Sequence, residues 1–142
     1  MSSAPPLPAP VPGETVVLSL PGFGRVAAFV AGRGAPLLLV HSVNAAACAA
    51  EVKPVHEAAA ASRTVLSLDL PGYGLSDRPD TPYTPRLMTD AVLAAAAWLR
   101  QRCGGAPVDA LALSLGCEFL ARAASEQPAL FRLMFSAELH PF

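Results

Sequence analysis

Short apolar runs alternate with longer stretches of helical spacing along this chain, and the alternation predicts its elements. Thr15-Val16-Val17-Leu18-Ser19-Leu20 reads as a strand, Pro21-Gly22-Phe23-Gly24 as a turn, and Arg25 to Val30 as a second strand. Two short strands joined by a Pro/Gly turn predict an antiparallel hairpin. Pro36-Leu37-Leu38-Leu39-Val40 and Thr64-Val65-Leu66-Ser67-Leu68 are continuous apolar runs, the pattern of parallel strands covered on both faces. Between them, 45–61 predicts a helix with Asn44 as N-cap and Pro54 as an interruption. The segment from Asp69 to Pro79 is dense in turn residues and reads as a loop. Thr84-Pro85 predicts a helix start, and Gly104-Gly105 a stop, with Leu87, Val92, Leu93, Trp98 and Leu99 facing inward. Pro107 to Leu113 reads as a strand, Leu115 to Gln127 as a helix closed by Pro128, and Phe131 to Phe135 as a last strand before a tail.

Strands alternating with helices after an initial hairpin predict an α/β domain. The expected form is a three-layer α/β/α sandwich with a mostly parallel sheet over residues 14–142. Residues 1–13, with prolines at Pro5, Pro6, Pro8, Pro10 and Pro12, read as a Pro-rich leader outside the fold.

Composition narrows the function classes. The net charge of −1 leaves no electrostatic footprint for nucleic acid or an anionic membrane surface. No apolar run approaches the roughly 18 residues of a membrane span, and the start lacks the basic and apolar regions of a signal peptide. Three cysteines, Cys48, Cys103 and Cys117, have neither metal-ligand nor redox spacing. They read as free thiols in a cytoplasmic protein. Neither a cofactor nor a metal is expected.

The candidate chemistry sits in Ala110-Leu111-Ala112-Leu113-Ser114-Leu115-Gly116-Cys117. An apolar strand runs into one serine, then a glycine and a helix, which is the pattern of a nucleophile elbow. Strand and helix must pass closely on either side of a strained serine, so the residues two before and two after must be small. Here these are Ala112 and Gly116. Cys117 reads as a further small packing residue. The predicted strands also end together, placing His41, the Asp69–Asp77 loop and Ser114 along one sheet edge, where sites of open α/β sheets form.

With those motifs in view, the chain resembles the N-terminal half of the α/β-hydrolase superfamily. Leu37-Leu38-Leu39-Val40-His41, Asp69-Leu70-Pro71-Gly72-Tyr73-Gly74-Leu75-Ser76-Asp77 and Ala112-Leu113-Ser114-Leu115-Gly116 carry the resemblance, which covers about residues 14 to 136. The resemblance implies Ser114 as nucleophile, with the backbone N–H groups of Leu115 and Val43 as oxyanion donors. His41 is implied as a structural histidine, and Gly116 and Asp69 as supports. Asp69 and Asp77 are expected to hold their loop through backbone N–H groups. Ala112 and Ser42 stand where the family usually has glycine.

A serine hydroxyl needs a base, and the base an orienting carboxylate. The family places these after the nucleophile, where 28 residues remain. Glu118 and Glu126 fall on the elbow's helix, His56 reads as solvated, and Glu138 and His140 read as a polar tail, the alternative being a terminal triad. The expectation is therefore a serine hydrolase for an ester or related acyl substrate, truncated and lacking acid and base. The competing expectation is a non-catalytic module that binds a partner or self-associates through an exposed sheet edge.

Overall fold

The computed structural model describes residues 8–137, which form a six-stranded mixed sheet with helices on both faces. The strands are β1 (Glu14–Leu20), β2 (Gly24–Ala31), β3 (Ala35–Val40), β4 (Arg63–Leu68), β5 (Val108–Leu113) and β6 (Phe131–Ala137). Their order is β1-β2-β4-β3-β5-β6. The predicted hairpin is present: β1 pairs antiparallel with β2, and β2 antiparallel with β4. From β4 through β3 and β5 to β6 the pairing is parallel.

Period-2 alternation explains why the central strands are apolar throughout. Leu38, Val40, Leu66 and Leu68 face one core, shared with Ala91, Ala95 and Leu99 of α2 (Pro85–Arg102) and with Phe119 and Leu120 of α3 (Gly116–Glu126). Leu37, Leu39, Val65 and Leu113 face the other, with Val52 from a short 3-10 turn (Ala49–Val52) and Ala59 from α1 (Lys53–Ala59). Every side chain of such a strand is removed from water, so no polar face remains to show in the sequence. α2 begins as expected: the Thr84 hydroxyl accepts the Leu87 N–H at 3.1 Å, and Pro85 supplies a pre-set φ at the first helical position.

Four local expectations are corrected. The helix expected over 45–61 is only the 3-10 turn and the seven-residue α1, because Pro54 lies in the first turn of α1 and starts it rather than interrupting it. Asn44 caps a turn instead, accepting the Ala46 N–H at 3.1 Å.

His56 is fully buried rather than solvated. Its ring bridges the Ser67 hydroxyl and the Pro12 carbonyl, each at 2.7 Å. That bond also corrects the leader boundary. Val11 is buried at 3% exposure beside Ala27, Phe29 and Ala49, so residues 11–13 lie against the sheet rather than outside the fold, while residues 1–7 of the expected leader lie outside the described residues. Ordering residues 11–13 removes an apolar side chain from water and satisfies a buried ring nitrogen, which together offset their chain entropy.

Candidate functional site

The site is built where the order of strand connection reverses. From β3 the chain crosses to β4 on one side, and it then returns past β3 to β5 on the other. Crevices form outside the carboxyl ends of strands at such a point. Val40 pairs with Ala112, so His41-Ser42-Val43 and Leu113-Ser114-Leu115 leave the sheet side by side.

Ser114 turns the chain from β5 into α3 with φ of +48°, the one positive φ outside glycine among the described residues. An L-residue pays for that left-handed conformation, about 1–3 kcal/mol, and it persists only where the surroundings impose it. Its N–H donates to the Ala137 carbonyl at 2.8 Å, and its own carbonyl accepts from Cys117 N–H at 3.0 Å. Gly116 shows why a small residue is required after the serine. A Cβ there would collide with the His41 carbonyl and lie 3.3 Å from a Val40 methyl. Helix and strand therefore approach to backbone contact, as the spacing of small residues predicts. Cys117 is half-buried, its thiol 3.2 Å from the Ala112 carbonyl.

The other loops are tied by the residues singled out in sequence. His41 is fully buried, and its Nε2 accepts the Leu70 N–H at 3.0 Å. That bond leaves the proton on Nδ1, which donates to the Ser42 carbonyl at 2.6 Å. Burial holds the ring below the usual histidine range, against the opposing pull of the Ser42 carbonyl, Asp69 and Glu51. With both nitrogens engaged, His41 is a neutral strut joining the loop after β3 to the loop after β4. Tyr73 packs edge-on to it at 5.3 Å between ring centroids.

Asp69 is fully buried and accepts from Ala49 N–H at 2.7 Å and Leu75 N–H at 2.9 Å. Gly74, at φ +55°, leaves no room for a Cβ beside that carboxylate. Asp77 accepts the Arg25 N–H at 2.7 Å. Both aspartates hold loops, as expected.

Neither the Val43 N–H nor the Leu115 N–H donates a hydrogen bond among the described residues. Both donors are therefore unspent among the described residues. A base is not brought to it: among the described residues no side chain is hydrogen-bonded to the Ser114 hydroxyl. Glu118 pairs with Arg122, and Glu126 with Arg86. Glu138 and His140 lie outside the described residues. No group of three or more His, Cys, Asp or Glu able to hold a metal occurs among them either.

An alpha/beta hydrolase family model matches residues 37–138, most of the chain and all three loops just described. The chain belongs to the alpha/beta hydrolase family. Solved structures with the same fold include a deformylase of N-formylmaleamic acid from Pseudomonas putida S16, at 25% identity and a TM-score of 0.73. It matches 87% of this chain and 46% of its own. An epoxide hydrolase from Vigna radiata superposes with a TM-score of 0.76 at 18% identity, over 91% of this chain and 40% of its own. A 2-hydroxy-6-oxo-6-phenylhexa-2,4-dienoate hydrolase from Rhodococcus does so at 0.69 and 23%, over 87% and 46%. At such identities the last two bear on the fold alone. This alpha/beta hydrolase chain spans less than half the length of each. None of the curated proteins compared with it matches.

Sequence reasoning missed two contributors to the site. Ser76 donates to the Asp69 carbonyl at 2.6 Å and accepts the Ala27 N–H at 2.9 Å, locking the loop onto β2. Glu51 reaches Ser42 from the 3-10 turn. A lone glutamate in an Ala-rich stretch carries no sequence signal. Its role depends on where the turn places it.

Proposed function

We propose that this alpha/beta hydrolase chain presents Ser114 as a nucleophile toward an ester or related acyl substrate, with the N–H groups of Val43 and Leu115 receiving the oxyanion. The strained φ of Ser114 at the exit of β5 carries the reading. A surface serine in the left-handed region costs stability and buys no packing. It makes chemical sense where the hydroxyl must stand clear of the backbone at the start of a helix. Two N–H donors beside it suit a carbonyl whose oxygen gains charge on attack, and each such donor is typically worth about 10²–10³ in rate. Since no base engages the Ser114 hydroxyl among the described residues, turnover by this chain alone is expected to be low. Without its base, a serine system of this kind retains roughly 10³–10⁴ over water from binding and the oxyanion hole.

Hydrolysis of an activated aryl ester by the purified chain and by its Ser114→Ala variant tests the reading. A rate lost in the variant supports it, and identical rates sink it. Loss of the rate in His140→Ala would place the base at that histidine.

A second reading, as a self-associating module, rests on β6. Leu133, Met134 and Phe135 are 47–49% exposed at consecutive positions, so both faces of this edge strand are apolar and open. Edge strands of that kind invite pairing, and the partner proposed is a second copy through β6. Light scattering decides it: a monomer at all concentrations contradicts the reading, and a dimer lost in Met134→Lys supports it.

A further inference from the structure

Ser42 precedes Val43 in the loop after β3, where the family resemblance implies a glycine, and the structure shows how the serine is held. Ser42 is only 3% exposed, so its hydroxyl and N–H are turned away from water. Both are taken up by one carboxylate. The Ser42 N–H donates to Glu51 Oε1, and its hydroxyl donates to Oε2, each at 2.7 Å. Asn44 completes the arrangement, donating from Nδ2 to the Ser42 oxygen at 3.0 Å. The residues before and after Val43 are thus bonded to each other, and Ser42 also to Glu51, while the Val43 N–H has no acceptor among the described residues.

Glu51 is itself held by its element. The 3-10 turn that carries it donates the Ala49 N–H to Asp69 at 2.7 Å, and Ala49 is fully buried. On the other side, His41 links Ser42 to Leu70. The loop after β3 is consequently fastened at two points to the loop after β4, once through His41 and once through Glu51, the 3-10 turn and Asp69.

We propose that Glu51 is a positioning residue: its two-pronged grip on the Ser42 N–H and hydroxyl fixes Ser42, whose carbonyl is held by His41 and shares a peptide with the Val43 N–H, and so helps to aim that N–H toward the oxyanion. The proposal rests on the reading of Ser114 and Val43 given above and assigns part of its geometry to a residue that acts through Ser42. Charge-assisted bonds are short and strong, and two from one carboxylate define an orientation as well as a distance. A glycine in place of Ser42 would need only the backbone half of the grip. A serine at that buried position needs both.

The test uses the full chain, a phenylboronic acid that forms a tetrahedral adduct with a serine, and amide exchange followed by NMR. Glu51→Ala should speed exchange at Ser42 and weaken boronate affinity about tenfold, part of the 10²–10³ that loss of a whole donor costs. Glu51→Gln keeps an acceptor for the N–H and a polar partner for the hydroxyl, and should restore most of both. A general loss of folding would not be rescued in that way, and thermal melting of each variant provides the control. Unchanged exchange and unchanged affinity in Glu51→Ala overturn the proposal, as does a Glu51→Gln variant as impaired as alanine. Should the wild-type chain and Ser114→Ala bind boronate alike, the nucleophile reading fails by itself. Ser42 and Val43 exchange in Glu51→Ala then decides the positioning role alone, for it if exchange rises and against it if not.

Discussion

The two ends of β5 hold the most unusual residues of the sheet, and they are unusual in opposite ways. At the amino end Asp109 is buried at 2% exposure, yet it is fully paired: Arg132 binds it twice, at 2.7 and 3.0 Å, and Arg63 binds it from β4. The Arg132 guanidinium, supported by Arg63, holds its carboxyl below the usual range against the opposing effect of burial. At the carboxyl end Ser114 carries no charge and no hydrogen-bonded partner on its hydroxyl among the described residues. It has a strained backbone, and the N–H groups of Val43 and Leu115, the proposed oxyanion donors, are unspent among the described residues. A perturbed carboxylate by itself would mark Asp109 as a functional candidate. The comparison argues otherwise. Asp109 has nothing left to offer a ligand and serves to fasten β6 and β4 to β5. Unspent donors and stored strain are what the proposed site at the other end rests on.

That contrast can be broken most forcefully at Asp109. Asp109→Ala leaves two arginines without their partner. Removing one member of a buried pair costs about 3–5 kcal/mol, and partial exposure of the arginine side chains (27% for Arg63, 60% for Arg132) reduces this to about 2–3 kcal/mol. Urea unfolding should show that loss, while boronate affinity of the folded variant stays at the wild-type level. A drop in affinity would mean that the two ends are coupled. Gly116→Ala should come next, costing about 1–3 kcal/mol, because the clash is with a backbone carbonyl that cannot rotate away. Unlike the first variant, it should weaken boronate binding too, since it pushes α3 away from the loop after β3.

Ser114→Gly sharpens the comparison through its sign. Glycine relieves the left-handed strain, so the variant should gain about 1 kcal/mol in thermal or urea unfolding while losing boronate binding. Ser114→Ala, which keeps the strain, should lose binding without that gain. No stabilisation in the glycine variant would argue against stored strain at the elbow. The smallest effect concerns pH. Burial depresses the pKa of both His41 and His56 below 6.5. The unfolded chain therefore takes up protons first as the pH falls. The stability these neutral rings contribute is fully present above about 6.5 and is lost as the pH drops through their folded values. Urea midpoints should fall between about pH 7.5 and 5.5, and His56→Gln should flatten that slope.

Much of this molecule was legible without coordinates because its signals are local. Continuous apolar runs reported β3 and β4, Thr84-Pro85 reported the start of α2, and Gly116 and Gly74 stood where a Cβ has no room. Each is a steric or periodic demand on a few neighbouring residues. His56 and Val11 were not legible in this way. A histidine on a short polar helix reads as solvated until α1 is laid on β4, where Ser67 and the Pro12 carbonyl close over it.

Glu51, nine residues beyond Ser42, and Asp109, facing arginines from two other strands, share that reason: their partners meet only when strands and loops are stacked. Sequence alone determined the order of elements, the elbow at Ser114 and the family's loops, because backbone sterics and side-chain periodicity act over a few residues. Only the tertiary structure decided which polar groups are spent and which remain free, since hydrogen bonds and ion pairs between distant segments exist only once the sheet has brought them together.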